Sequence, residues 1–273
     1  MRFTDRHFAK WLVLLGIVTS PFLAAADRPA PQSGEKVKQP FVPDQSSLPV
    51  RPPDDAIVLF DGQETNLFLG KNGGKSDWPV QAGALVSRAN RNGNHVVSKW
   101  HFRDADIHVE FMTPKQGSGN SGIYIHGNYE LQIVNSKHGK AIGDESIGAI
   151  YGFHKPLVNA AADAGTWQVY DIRYIAPRRN EAREIIENGS ITAWLNGKKV
   201  QDNARFAEPR SVFHPFRYQT TPYLATIWKQ QKKTSTGPVF LQDHGAPVQF
   251  RNIWIRPLDD RAFVYEAEVQ APD

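Results

Sequence analysis

The sequence predicts an all-β fold, an antiparallel β-sandwich. Stretches of strand length with alternating polarity recur between residues 54 and 258, helix signals are scarce, and tight-turn dipeptides separate several of the stretches.

The expected strands are, in order, 57–60, 84–87, 107–112, 123–126, 129–134, 167–175, 191–195, 239–242 and 248–255. In 107–112, Ile107, Val109 and Phe111 share one face while His108 and Glu110 share the other, the period-two pattern of a pleated strand. Asn188-Gly189 and Asn196-Gly197 fit type I′ hairpin turns, because both residue types tolerate a positive φ. Residues 177–189 are rich in Arg and Glu and read as an exposed hairpin or a short helix. Trp78, Trp167, Trp194, Trp228 and Trp254 read mostly as core, with stacking on a sugar as the alternative.

The two ends differ from this core. Residues 1–26 carry Arg2, Arg6 and Lys10 ahead of an apolar run, then Ala24-Ala25-Ala26, the pattern of a secretory signal peptide cut after Ala26. Residues 27–53 contain seven prolines and read as an extended tether. The globular domain is expected over 54–258, followed by a charged, loose tail at 259–273. No apolar run after the signal peptide is long enough to cross a bilayer. The protein is therefore expected to be secreted or periplasmic, in a bacterial envelope.

Composition narrows the function. The 273 residues carry a formal net charge of +4, half of it from the signal segment, and no long run of Lys or Arg. Nothing there supports binding to nucleic acid or an acidic membrane. With no cysteine, the chain forms no disulfide and carries no lipoprotein anchor. A P-loop, a GxGxxG fingerprint and a Gly-x-Ser-x-Gly elbow are all missing, which argues against nucleotide and serine-hydrolase chemistry.

Two segments concentrate polar chemistry. In 119–135, Tyr124 and His126 are expected on one strand face, and a hairpin through Gly127-Asn128 would bring them to Glu130 and Gln132. In 237–258, Gln242-Asp243-His244 stands at a strand end, where Asp243 could orient His244 for proton transfer or the pair could serve a metal. Between them, the loop 148–160 could lie over the cleft and present Tyr151, His154 and Asn159. Isolated polar residues on a solvated face are the plainer reading of each residue alone.

Together the segments "LFDG" (59–62), "GNSGIYIHGNYELQIVNS" (119–136), "GAIYG" (148–152), "WLNGKKV" (194–200) and "GPVFLQDHGAPVQFRNIWIRPL" (237–258) resemble the 3-keto-disaccharide hydrolase domain family. That resemblance implies a concanavalin-A-like sandwich, a jelly roll, that cleaves glycosides already oxidised to a ketone at C3. A C3 ketone acidifies the C2 proton. A base that removes it forms an enolate, which can expel the C1 aglycone before water adds; direct displacement at C1 is the competing route.

On this reading Glu130 or His126 is the base, and His244, oriented by Asp243, is the acid or enolate stabiliser. Tyr124, Gln132, Tyr151, Asn159 and Gln242 bind the sugar. A divalent metal could replace one of these groups at the enolate, and no other cofactor is implied. The expected partner is a carbohydrate substrate. A non-catalytic, lectin-like domain and an envelope scaffold remain rivals, since the same fold serves both.

Overall fold

The computed structural model describes residues 45–63, 67–89, 93–136, 141–206, 214–218 and 220–266. The expected signal peptide and most of the expected tether lie outside the described residues.

In chain order the elements are β1 (Ile57–Phe60), β2 (Phe68–Gly70), β3 (Val80–Gln81), β4 (Ala84–Val86), β5 (Val96–Ser98) and β6 (Trp100–His101). Next come β7 (Ala105–Met112), β8 (Ser121–Ile125), β9 (Tyr129–Ile133), β10 (Trp167–Ile175), β11 (Arg178–Arg179) and β12 (Ile185–Glu187). Then follow β13 (Gly189–Leu195), β14 (Lys198–Phe206), α1 (Pro215–Tyr218), α2 (Pro222–Thr234), β15 (Val239–Leu241), β16 (Gln249–Pro257) and β17 (Phe263–Val264).

These strands form the antiparallel β-sandwich that the sequence predicts. One sheet has eight strands, in the order β14-β13-β10-β7-β16-β4-β3 with β1 also paired to β16. The other has five, in the order β2-β5-β15-β8-β9. Ile107, Val109 and Phe111 of the large sheet and Ile123, Ile125 and Leu131 of the small sheet join one buried cluster between the layers. Burial of such side chains is the main term holding the layers together, at roughly 1.5–3 kcal/mol each.

The outer face of the large sheet is not a solvated surface. His108 and Glu110 are fully buried there. His108 Nδ1 lies 2.7 Å from Asp171 Oδ1, its ring stacks on Trp254 at 4.6 Å, and Arg251 Nε donates to Glu110 Oε2 at 2.8 Å. The last part of the expected tether lies against this network: Val50 N donates to Glu110 Oε1 at 2.8 Å, and Gln45 bonds Asp171. Residues 45–50 therefore pack on the sandwich, because they satisfy carboxylates that would otherwise be buried without enough partners.

Other expectations are also corrected. Asn196-Gly197 does make a turn with positive φ at both residues, joining β13 to β14. Asn188-Gly189 does not. It leads from the small hairpin β11–β12 into the large sheet, and Gly189 is needed because a Cβ there would stand 2.4 Å from the Phe206 ring. The expected loose tail includes β17, paired with β6, and Tyr265 stacks on buried His101 at 4.4 Å.

Helix α2 is one element that the alternation pattern missed. Thr221 caps it, its hydroxyl accepting from Leu224 N at 3.2 Å, Pro222 opens it, and Ser235 closes it in the left-handed conformation. Its Tyr223, Leu224 and Ile227 pack against Val97, Tyr124 and Phe240 on the outer face of the small sheet. That covers part of the face.

Candidate active site

The polar part of that outer face is built by register. On β8 and β9, Tyr124 pairs with Glu130 and Gly122 with Gln132. On the other side Phe240 pairs with both Tyr124 and Val97, and Leu69 pairs with Val97. One step further along each strand on the same face stand Gln242, His95 and Lys71. Gln242 N donates to Gly122 O at 2.9 Å, which fixes that end of the row.

Glu130 is the centre of the group. It is 3% exposed, and burial pushes its carboxyl up to about 8, opposed by a hydrogen bond from Tyr124. Gln242 Nε2 in turn donates to Tyr124 Oη at 2.9 Å. Burial and the nearby Glu130 charge push the Tyr124 phenol well up, so it stays protonated and holds the carboxyl. Gly122 is required here, because a Cβ would fall 2.2 Å from Glu130 Oε1. The result is a carboxyl group poised to exchange a proton near neutral pH.

Two acceptors beside it are unsatisfied. Gln132 Oε1 and Gln242 Oε1 are buried and have no hydrogen-bond partner among the described residues. They stand on the strands that flank Gly122. A buried unpaired amide oxygen costs about 1–3 kcal/mol, a cost that hydroxyl donors on a ligand would remove.

His95 and Lys71 were not singled out in the sequence. His95 is 4% exposed, and burial, with Lys71 and His244 nearby, pushes its ring down to about 3. Its Nδ1 accepts from Asp243 N at 3.1 Å, so the neutral ring carries its proton on Nε2. Lys71 Nζ donates to Gly93 O at 2.6 Å, and burial lowers its pKa against the opposing charge of Asp243.

The remaining expected residues divide. Tyr151 is brought in: its N donates to Glu130 O at 2.9 Å, its hydroxyl reaches Glu145 at 3.3 Å, and burial, Glu145 and Glu130 raise its pKa. Asn159 is held in its own loop, with Nδ2 donating to Ser136 at 3.0 Å and Oδ1 accepting from Ala161 N at 3.1 Å. His244 is exposed at the rim, and its Nδ1 partner is Asn120 Nδ2 at 3.2 Å. Asp243 does not orient it. The chain bends at His244, which pairs with Asn120, while Asp243 is buried in the field of Lys71.

His126 is separated from the group. With φ of 55° at His126 and 62° at Gly127, the hairpin turn begins one residue earlier than alternation suggests. The ring turns toward the core side, edge-on to Tyr174 at 4.6 Å, and burial lowers its pKa to about 3. It lines a different cavity from the Glu130 group. Among the described residues, no cluster of three or more His, Cys, Asp or Glu stands close enough to hold a metal ion.

Residues 55–256, which contain this whole group, match the family model of the 3-keto-α-glucoside-1,2-lyase-like domain. The chain belongs to that family. A 3-keto-disaccharide hydrolase from Bacteroides thetaiotaomicron is 24% identical over 258 residues, spanning 79% of this chain and 82% of the relative. A candidate glycosyl hydrolase from Parabacteroides distasonis superposes with a TM-score of 0.64 at 31% identity, over 76% of this chain and 86% of the other. A second such protein from that organism gives a TM-score of 0.51 at 21% identity, over 75% and 94%. The chain is thus a glycosyl-hydrolase-like member of the family. Among its described residues no helix is long and apolar enough to cross a membrane.

Proposed function

We propose that this chain is an exported enzyme that cleaves 3-keto-glycosides by elimination and hydration, with Glu130 as the base. The observation that carries the reading is the buried Glu130 carboxyl with its pKa near 8, beside Gly122 and two unsatisfied amide oxygens. An ordinary glycosidase needs two carboxyl groups flanking the scissile bond. Here the second buried carboxyl, Asp243, lies in the field of Lys71 beside His95, which leaves Glu130 to exchange the proton, and that suits a substrate whose own ketone makes C2 acidic.

In this mechanism ionised Glu130 takes the C2 proton, and the electron pair forms an enolate onto the C3 oxygen. The Nε2–H of His95 donates to that oxygen, a role that a neutral imidazole performs without giving up its proton. The enolate then expels the C1 oxygen, which takes a proton from His244 at the rim. Water adds to C1 of the resulting enone, and C2 is reprotonated, so the net change is hydrolysis. Gln132 and Gln242 accept from sugar hydroxyls, while Tyr124 positions Glu130. A family described as lyase-like and a relative named as a hydrolase both fit one route that begins as elimination and ends with water added. Export rests on the signal-peptide pattern of residues 1–26.

The test is aglycone release from a 3-keto-glucoside and from its unoxidised parent, with and without chelator. Release from the keto compound alone is expected. Release from neither, with glycan binding retained, would favour the lectin.

A further inference from the structure

A cavity of about 290 Å³ opens at the turn end of the β8–β9 hairpin and shares no residue with the Glu130 group. Its volume is at the small end of the range for ligand pockets, roughly 300–1,000 Å³, which suits one sugar ring. Tyr129 and Tyr174 provide aromatic walls, and Arg179, Arg183 and Lys232 provide charge; among the described residues no Asp or Glu lines it. That imbalance is local, since the whole chain is nearly balanced at 32 basic and 28 acidic residues.

Among the described residues, no carboxylate pairs with Arg183 or Lys232. On the β11–β12 hairpin, Glu184 accepts from Asn180 Nδ2 at 2.8 Å, and Glu187 stands opposite Arg178. Arg183 is exposed and has no ion-pair partner among the described residues, while Arg179 Nη1 donates to Arg183 O at 2.7 Å. The Lys232 ammonium rests over the Trp228 ring at 4.2 Å, also without a carboxylate. His126 lines the cavity in a left-handed conformation that is uncommon for a residue with a side chain, and such strain gathers at ligand sites.

We propose that this cavity binds a single sugar ring bearing an anionic group, either a carboxylate or a phosphate ester. Arg179, Arg183 and Lys232 would meet the anion, guanidinium groups being suited to two-point contact with such oxygens, and the tyrosines would flank the ring. The site extends the molecule's reading beyond cleavage. It implies that an acidic sugar, as part of a larger substrate or as a separate ligand, is recognised away from the reacting bond.

Calorimetric titration of the full chain with glucuronate, glucose 6-phosphate, glucose and inorganic phosphate tests this. At least one acidic sugar is expected to bind about tenfold or more tightly than glucose, and the tighter of the two identifies the anion source. Its affinity should fall with added salt and fall about tenfold in the Arg183→Gln, Lys232→Gln double variant. It should be unchanged in Glu130→Gln, which separates this site from the proposed catalytic one. Equal binding of glucose, inorganic phosphate binding as tightly as either acidic sugar, affinity unmoved by the double substitution, or binding of neither acidic sugar would each overturn the proposal.

Discussion

The backbone N–H of Asp243 donates to Nδ1 of His95 at 3.1 Å, and that one contact fixes where the imidazole proton sits. A main-chain donor cannot act as an acceptor, so the neutral ring must carry its proton on Nε2. Burial, with Lys71 and His244 close by, keeps the ring neutral down to about pH 3. A tautomer held this way presents a donor that does not ionise across the working range.

His95→Phe keeps the ring volume and removes the donor. If His95 stabilises the enolate, kcat on a 3-keto-glucoside should fall about 10²–10³-fold with a smaller change in KM. Steady-state kinetics check this. A KM effect alone would make His95 a binding residue.

Glu130 supplies a pH signature. Its carboxyl ionises near 8, so kcat/KM should rise with pH, about tenfold per unit below that value, and then level. Glu130→Gln should lose about 10²–10⁴-fold in rate and lose this limb.

The same shift predicts a stability effect of opposite sense. A pKa raised from 4.5 to about 8 means that the folded state binds the proton more tightly than the unfolded state. Stability is then fully present below pH 4.5 and is lost as pH rises through 8, by up to about 5 kcal/mol. Glu130→Gln, which cannot ionise, should be the more stable protein in urea at alkaline pH and should lose that advantage in acid.

Gln132 and Gln242 separate binding from chemistry. Replacing Gln132 with Leu removes a buried oxygen that has no partner among the described residues, so the free protein should keep or gain stability. If that oxygen accepts from a sugar hydroxyl, KM should rise about tenfold. Urea unfolding and kinetics on the same variant read the two effects.

The network outside the large sheet affects stability alone. Burial opposes charge on His108, but Asp171 and Glu110 together outweigh it and raise its pKa. His108→Leu leaves two buried carboxylates short of a cation and should cost about 3–5 kcal/mol by urea unfolding at neutral pH. The contribution of a raised His pKa is full below its unfolded value and lost as pH rises through the folded one, so the deficit should narrow in alkali.

The strands were legible where alternation was strong. Ile107, Val109 and Phe111 do face the core. That His108 and Glu110 would be equally buried was not, because their cover comes from Val50, Asn252 and Trp254, distant in sequence. Helix α2 was missed although Thr221-Pro222 is a start signal, since its apolar residues end at Trp228 and its last turns are Lys, Gln and Thr, which leaves only a short apolar stripe. Strand β14 was missed because an edge strand of Lys, Gln, Asp and Asn shows no apolar period.

In the site, Tyr124, Glu130, Gln132 and Gln242 could be read from local alternation and from one hairpin. His126 could not, because Gly127 permits a turn that begins at the histidine itself. Lys71 follows and His95 precedes a strand of three residues, and only the pairing of β2, β5 and β15 brings them into the row. Asp243 and His244 look like a pair because they are adjacent, yet their partners differ.

Proton abstraction from C2 by Glu130 is the central claim, and solvent deuterium tests it directly. A 3-keto-glucoside should be cleaved in deuterium oxide by the wild-type protein and by Glu130→Gln, with early product examined by mass spectrometry and NMR. The mechanism predicts one deuterium at C2 of the sugar released by the wild type, and negligible cleavage or exchange by the variant. Sugar released with its C2 hydrogen intact, or a variant that matches the wild type, would contradict it.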